Sequence, residues 1–373
     1  MTSELSSLCS YAKGKVSVDT LSKRNYVSTE NMMPNKGGIV DAGALPSAQY
    51  TQQYIKDDIL VSNIRPYFKK IWMADDDGGC SNDVLVFRAY RGCDSTFLYY
   101  ILANDAFFNY ASATSKGTKM PRGDKTAIMQ YKVPCFNYET QLRIGKLLRS
   151  IDDRIAVNKK INDNLQQQAA ALFSSLYDRS NTEVRFTDLI QILGGGTPKT
   201  GENTYWNGNI AFFTPKDVGT PYTLITEKTI SKEGLSHCNS RLYPVNTVFV
   251  TARGTVGKVG MSGVPMAMNQ SCYALVGKET HQLLVYFYTL KAVDRLKHKA
   301  SGAVFDAITT RDFESEQIMK LSHDDATAFL RVAEPMFQEA LNNNIENLRL
   351  STLRDSLLPK LMSGEIDVSA VQL

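Results

Sequence analysis

The chain has 373 residues, a formal net charge of +4, and 43% hydrophobic and 21% charged residues. That length accommodates two or three domains with separate cores, and that composition excludes a disordered or fibrous chain. So small a net charge permits nucleic-acid binding only if basic residues cluster locally.

The opening residues, MTSELSSLCSYAKGKV, hold no apolar run of the kind a secretory signal requires, and no segment approaches the roughly 18 apolar residues of a membrane span. Cys9, Cys80, Cys93, Cys135, Cys238 and Cys272 are scattered without a CxxC pair, which argues against a zinc site and a disulfide framework. A reducing cytoplasm is the expected location.

Taken in order, the chain reads as something written twice. KVSVDTL from Lys15 resembles EVRFTDL from Glu183. DILVSNIRPYFKKI from Asp58 matches TVFVTARGTVGKVG from Thr247, SNDVLVF from Ser81 matches MNQSCYAL from Met268, and FLYYIL from Phe97 matches VYFYTL from Val285. SKGTKMPRGD from Ser115 then parallels ASGAVFDAIT from Ala300, and Gln141 to Tyr177 parallels Asp325 to Met362. The second copy carries GGGTPKTGENTYWNGNIAFFTPKDV from Gly194, where the first has only the dissimilar SKRNYVSTENMMPNKGG. Short β-branched and aromatic runs broken by Gly, Pro and Asn predict strands and long loops in each half.

Each half ends in a predicted long helix. Steps of four and three from Ile144 pass through Leu148, Ile151, Ile155, Asn158, Asn162, Leu165, Ala169, Leu172 and Leu176, a seam of period 3.5. The distal stripe runs through Phe329, Val332, Ala333, Met336, Phe337, Ala340, Leu341, Ile345 and Leu348, interrupted by Asn344. Two narrow seams in one chain predict an antiparallel coiled coil, in which buried Asn lowers stability and fixes register. The expected architecture is α+β: tandem mixed α/β domains at residues 1–137 and 181–323, a central helix at 138–180, and a distal helix with tail at 324–373. The competing arrangement packs each helix on its own domain. From Ile144 to Leu176 the helix rises roughly 48 Å.

Chemistry of its own is hard to find. RGTVGKVG has Ala252 where a phosphate loop needs its leading Gly, and Val259 follows Lys258 where Ser or Thr is required; GGGTPKTG lacks the Gly-Lys pair. There is no GxGxxG after a strand and no Pro-Pro pair of an amino-methyltransferase, while Asp75, Asp76 and Asp77 run into Gly78 and Gly79 as a turn would. His237, His281, His298 and His323 lie far apart. No metal or cofactor is expected on this chain.

Binding is better supported. Cations gather beside aromatics, hydroxyls and glycines at Arg65, Tyr67, Lys69 and Lys70, and at Lys116, Thr118, Lys119 and Arg122 in the first copy. The second copy offers Thr197, Lys199, Tyr205, Trp206 and Lys216, then Arg253, Thr255 and Lys258, then Lys297, Lys299 and Arg311. Phosphates take Lys, Arg and backbone N–H groups, whereas base edges take fork-shaped side chains on loops; any one cluster reads equally as a solvated surface loop, and their recurrence in two copies favours double-stranded DNA as the expected ligand.

The run GGGTPKTGENTYWNGNIAFFTPKDV, the loop TARGTVGKVG with NQSCYAL after it, the helix IDDRIAVNKKINDNLQQQAAALFSSLY and the ending LRDSLLPKLMSGEIDV together resemble the specificity subunit of type I restriction-modification enzymes. The resemblance implies two target-recognition domains, each reading half of a bipartite DNA sequence, joined by an antiparallel coiled coil. It also implies a non-catalytic chain. Two modification subunits would supply S-adenosylmethionine-dependent adenine methylation, and restriction subunits would add translocation and cleavage with ATP and magnesium. The first domain departs from the family pattern by lacking the GGTP and YWNG run. A stand-alone DNA-modifying enzyme and a scaffold without DNA preference are the competing classes.

Overall fold

The structure, a computed structural model, describes residues 2–219, 221–299 and 307–368. By backbone contacts the chain divides into two compact units, Met1–Ile155 with Arg349–Leu373, and Ala156–Leu348.

In the first unit a four-stranded sheet runs in the order Cys9–Tyr11, Val84–Ala89, Ile59–Ser62, Ile71–Met73, all antiparallel. Ile59 and Val61 face a core with Phe97, Leu98, Ile101, Phe107 and Phe108 from two short helices, while Leu60 faces the opposite side with Tyr54 and Cys80 of a second sheet. Alternation of period 2 sends both sets inward because both faces are covered, which is why Ile59–Ser62 is buried throughout. The second sheet has the order Lys15–Ser17, Tyr50–Tyr54, Gly78–Cys80, Tyr26–Val27.

The second unit repeats this plan. Its main sheet runs Ile190–Gly194, Cys272–Gly277, Val248–Thr251, Val259–Ser262, with Tyr222–Thr223 added at the edge. Val248 and Val250 face the helices, and Phe249 faces the second-sheet side. Here the second sheet has three strands, Lys228–Ile230, Trp206–Phe213 and Met266–Met268. In both units a two-stranded clasp closes the fold, Thr2–Glu4 with Lys132–Pro134 and Thr182–Arg185 with Gln317–Lys320.

The clasp corrects one correspondence. The counterpart of Thr182–Leu189 is the stretch from Thr2 to Leu8, since each is a clasp strand, then a helical turn whose first residue, Leu5 or Phe186, is fully buried, then the first strand of the main sheet. Lys15–Ser17 instead pairs with Tyr50–Tyr54 in the second sheet. KVSVDTL does share the local pattern of EVRFTDL, a strand and then a helical turn that begins on a buried residue, but the hydrogen-bonded partner decides the role. The loop parallel drawn from Ala300 falls largely on residues 300–306, outside the described residues.

The two long helices are Tyr138–Asp178 and His323–Ser363, each of 41 residues. Asn137 caps the first, its side-chain oxygen accepting from the Thr140 N–H at 2.8 Å, and Ser322 caps the second through the Asp325 N–H at 3.1 Å. Gly364, at φ +77°, closes the second helix in the left-handed conformation, where a β-carbon would be strained.

Within the second unit the helices run antiparallel. Asn158 Nδ2 donates to Glu346 and Asn347, Asn162 Nδ2 donates to the Ala340 carbonyl and to Asn344, and further along Phe173 meets Phe329 at 5.5 Å between ring centres. Asn343, buried and absent from the predicted seam, donates to Asn162 Oδ1 at 2.9 Å. Asn158 and Asn162 are buried, so they belong to the seam and do not face water.

Ile144 and Leu148 sit in the first unit's core with Phe97 and Leu98, beside Leu358 and Leu361, so this end of the seam is domain core. Ile151 is buried and Ile155 half-buried. In the second unit Ala169, Leu176, Phe337 and Leu341 are buried, whereas Leu165, Leu172 and Leu348 are half-buried. Phe173 takes the central place beside Leu172, stacked on Phe287 at 5.0 Å. A straight helix of 3.6 residues per turn drifts from a strict 3.5 repeat by about 20° per heptad, which carries the buried face from Leu172 to its neighbour.

Candidate nucleic-acid interface

The main sheets put the two copies into register residue by residue. Ser62 pairs with Val84 as Thr251 pairs with Cys272, so Asn63 and Ile64 correspond to Ala252 and Arg253, and Asp83 to Ser271. Beyond the strand, Ile64 bridges Arg122 and Arg253 bridges Ala307. Arg122 therefore corresponds to Ala307, and Asp124, which caps the helix Lys125–Met129, to Thr309, which caps Thr310–Ser315. Arg65 lies one position beyond the counterpart of Arg253, so the sequence pairing of those two arginines is shifted by one.

In the second unit this corner collects cations. Arg253, Thr255 and Lys258 occupy the exposed turn after Val248–Thr251, held by Thr251, whose hydroxyl donates to the Thr255 carbonyl and accepts from the Lys258 N–H at 2.9 Å. Gly257, at φ +73°, lies under Lys297; a β-carbon there would stand 2.6 Å from Lys297 Cε. The Ile308 N–H donates to the Ala252 carbonyl at 2.9 Å, which carries the segment leading to Arg311 past the same corner. Among the described residues, Arg253, Lys258, Lys297 and Arg311 form no ion pair with a carboxylate. Lys216 does, with Glu227 at 3.5 Å, and Lys299 pairs with the fully buried Glu316.

The run from Gly194 contributes differently. A β-carbon at Gly195 would lie 2.3 Å from the Asn269 carbonyl oxygen, and one at Gly196 2.7 Å from the Asn239 backbone nitrogen, so these glycines permit close packing of chain on chain. They form no phosphate cradle. Thr197 hydrogen-bonds Gln270, Lys199 is exposed, and its carbonyl accepts from Trp206 Nε1 at 3.1 Å. Trp206 packs edge-on to Phe212 with Lys228 over its ring, and Tyr205 stacks on His237 at 4.9 Å. Trp206 and Tyr205 thus brace the second sheet.

The first unit gathers cations at the same corner and holds Lys69, Lys70, Lys116 and Arg122 internally. Lys116 pairs with Asp124 at 2.5 Å and Arg122 with Asp83 at 3.0 Å. Lys69 shares Asp105 with Lys36, each at 2.8 Å, and Lys70 donates to the Thr29 carbonyl at 2.6 Å. Lys116 and the two flanking lysines hold the Asp124 and Asp105 carboxyls, respectively, below the usual carboxylate range. Arg65, at φ +50°, caps the turn Pro66–Phe68, where exposed Tyr67 packs on Phe68. Thr118 and Lys119 are exposed at the loop tip. Sequence reasoning missed Asp83 and Asp124, because a carboxylate distant in sequence from its cation carries no local signal.

Other chemistry is sparse. Asp75 and Asp76 sit at a bend, and Asp77 Oδ1 accepts from the Lys56 N–H at 2.8 Å. Burial pushes the Cys9, Cys80 and Cys272 thiols up to about 12, which keeps them from acting as nucleophiles. No group of three or more His, Cys, Asp or Glu among the described residues could hold a metal, and no described helix is long and apolar enough to cross a membrane.

The chain is 23% identical to the HindI specificity subunit of Haemophilus influenzae, over 91% of this chain and 94% of that protein. It is 29% identical to the MjaIX specificity subunit of Methanocaldococcus jannaschii, over 74% and 70% of the two chains. The S subunit of a type I restriction-modification system from M. genitalium shares the fold with a TM-score of 0.60 at 16% identity, over 97% of this chain and 96% of that one. The family model described as type I restriction modification DNA specificity domain matches residues 1–167 and again 179–320, once on each copy, and the chain therefore belongs to the type I restriction-modification DNA specificity family.

Proposed function

We propose that each unit reads one half of a bipartite duplex target through the corner where its main-sheet loop meets the segment before its last short helix. As a family member the chain is the recognition subunit and not the catalytic one. The observation that carries the proposal is the gathering of basic residues about the same corner of each unit, Arg65 with Lys116 and Arg122 in one and Arg253 and Lys258 with Arg311 in the other, although they do not match position for position. Cations anchor phosphates, and Arg253, with its planar fork, suits a guanine edge. Two modification subunits dock on the chain and supply methyl transfer from S-adenosylmethionine to adenine. Restriction subunits, where present, add ATP- and magnesium-dependent translocation and cleavage.

The domains assigned to this task are residues 1–137 and 181–323, with the helices counting out the unread base pairs between half-sites. Because Asn162 and Phe173 are locked to Asn344 and Phe329, a seven-residue insertion after Gln168 needs a matching one between Phe329 and Ala340. The matched pair should lengthen the required spacer by about 3 base pairs. An unchanged spacer would remove the helices as the ruler.

The deciding experiment purifies the chain with and without its modification partner, offers random duplex libraries, and sequences the methylated sites. A two-part motif appearing only with the partner is expected. Methylation by the chain alone would make it an enzyme, and modification without sequence preference would make it a scaffold.

A further inference from the structure

The two corners differ in one respect that their register makes comparable. Where the first unit has Asp83 and Asp124, the second has the neutral Ser271 and Thr309 at the same places in sheet and helix cap. Asp83 reaches Arg122 at 3.0 Å and Asp124 reaches Lys116 at 2.5 Å, although Lys116 is 81% exposed and free to extend into water. Neither acid is needed in kind for the fold. Among the described residues the Asp83 carboxylate makes no other bond, and the cap that Asp124 gives to Thr126 and Ala127 is supplied by a threonine in the second unit. Both carboxylates present anionic oxygens to a basic loop, as a DNA phosphate would.

We infer that Asp83 and Asp124 act as internal phosphate mimics that hold Arg122 and Lys116 until a duplex displaces them, so that phosphate anchoring falls mainly to the second domain. The inference rests on the DNA-reading function proposed above. A cation whose charge a carboxylate already balances gives a phosphate no net neutralisation, so Lys116 and Arg122 add little to salt-dependent, sequence-independent affinity. In the second domain Arg253, Lys258, Lys297 and Arg311 carry that term. The consequence is a division of labour: the second half-site is gripped first, and the first half-site is engaged only where its contacts suffice to open the two ion pairs.

The test uses the complex of the full chain with its modification subunits and follows binding to a duplex lacking the target as salt is varied. Asp83→Ser with Asp124→Thr, copying the second domain, should tighten binding at low salt and steepen the slope of log affinity against log salt by about 1.8, the value for two added phosphate contacts. The near-isosteric Asp83→Asn and Asp124→Asn should each give about half of that. Unchanged melting and assembly with the modification subunits would show that the variants fold. An unchanged slope in folded variants would overturn the inference while leaving DNA reading intact. If the wild-type complex showed no affinity for duplex, the function proposed above would fail instead.

Discussion

Set side by side, the two units agree in the main sheet, buried on both faces, and diverge in the second sheet and its loops. The four-strand order of the main sheet is the same in both, with Ile59 and Val61 matching Val248 and Val250 against the helices, and Leu60 matching Phe249 on the other side. The second sheets differ in strand number and order, and only the second unit carries the glycine-rich run that lets chain pack on chain at Gly195 and Gly196. A duplicated core tolerates volume-conserving change alone, because a lost methylene leaves a cavity. An exposed recognition edge is free to be rebuilt. The comparison teaches that the fold was retained as a platform while electrostatics and second sheet were changed independently in each copy.

The aromatic heart of the second unit is the part of the comparison with the largest expected effect. Phe173, 1% exposed, touches Phe287, Tyr288 and Phe329, a cluster without a counterpart on the helix segment of the first unit, where Ile144 and Leu148 fill the core. Phe173→Ala should cost about 3–5 kcal/mol in thermal unfolding. A loss below 1 kcal/mol would mean that the helix packs on its unit differently.

The amide layer comes next. Asn162→Ala strips partners from buried Asn343 and from Asn344, and should cost about 1–3 kcal/mol. Asn162→Leu should recover part of that by filling the seam, at the expense of register, seen as mixed oligomers in sedimentation. Equal stability of wild type and Asn162→Ala would place the amides outside the seam.

For the second corner, Arg253→Ala and Lys258→Ala should each flatten the salt dependence by about one phosphate if they anchor backbone. If Arg253 reads guanine, discrimination at one base position should fall by about 1–3 kcal/mol, measured over a panel of single-base target variants. Unchanged binding in both variants would take this loop out of the interface.

The smallest effect concerns Asp105, whose carboxyl is held below its usual range by Lys36 and Lys69. A depressed folded-state value stabilises the protein above the unfolded value, and that contribution is lost as pH falls through the folded one. Asp105→Asn should thus melt slightly lower than wild type at neutral pH, by a few tenths of a kcal/mol for so exposed a pair, with the gap closing in acid well below about pH 3.9. A gap that persists at the lowest pH would assign the effect to packing.

Much of this was legible in the sequence, for reasons that particular residues expose. The seam from Leu148 to Leu176 could be read because periodicity is a property of neighbours along one helix, and Asn158 and Asn162 announced themselves by interrupting it. Phe173 was hidden because the strict repeat selects Leu172, and only the domain packed against that face decides which neighbour is buried. Asn343 was passed over for Asn344 for the same reason, although both reach Asn162. Basic loops were visible as composition. That Lys116 and Arg122 meet carboxylates while Arg253 and Lys258 meet none among the described residues was not visible, since the partners Asp83 and Asp124 are brought in by strand and cap register.

The sequence by itself determined the duplication and the two long helices, because these follow from short-range pattern repeated in order. Only the tertiary structure decided that Thr2 to Leu8 opens the first copy, that Arg122 corresponds to Ala307, and which cations meet a carboxylate. Those are facts about who lies beside whom, fixed by hydrogen-bond register and close packing between residues far apart in the chain.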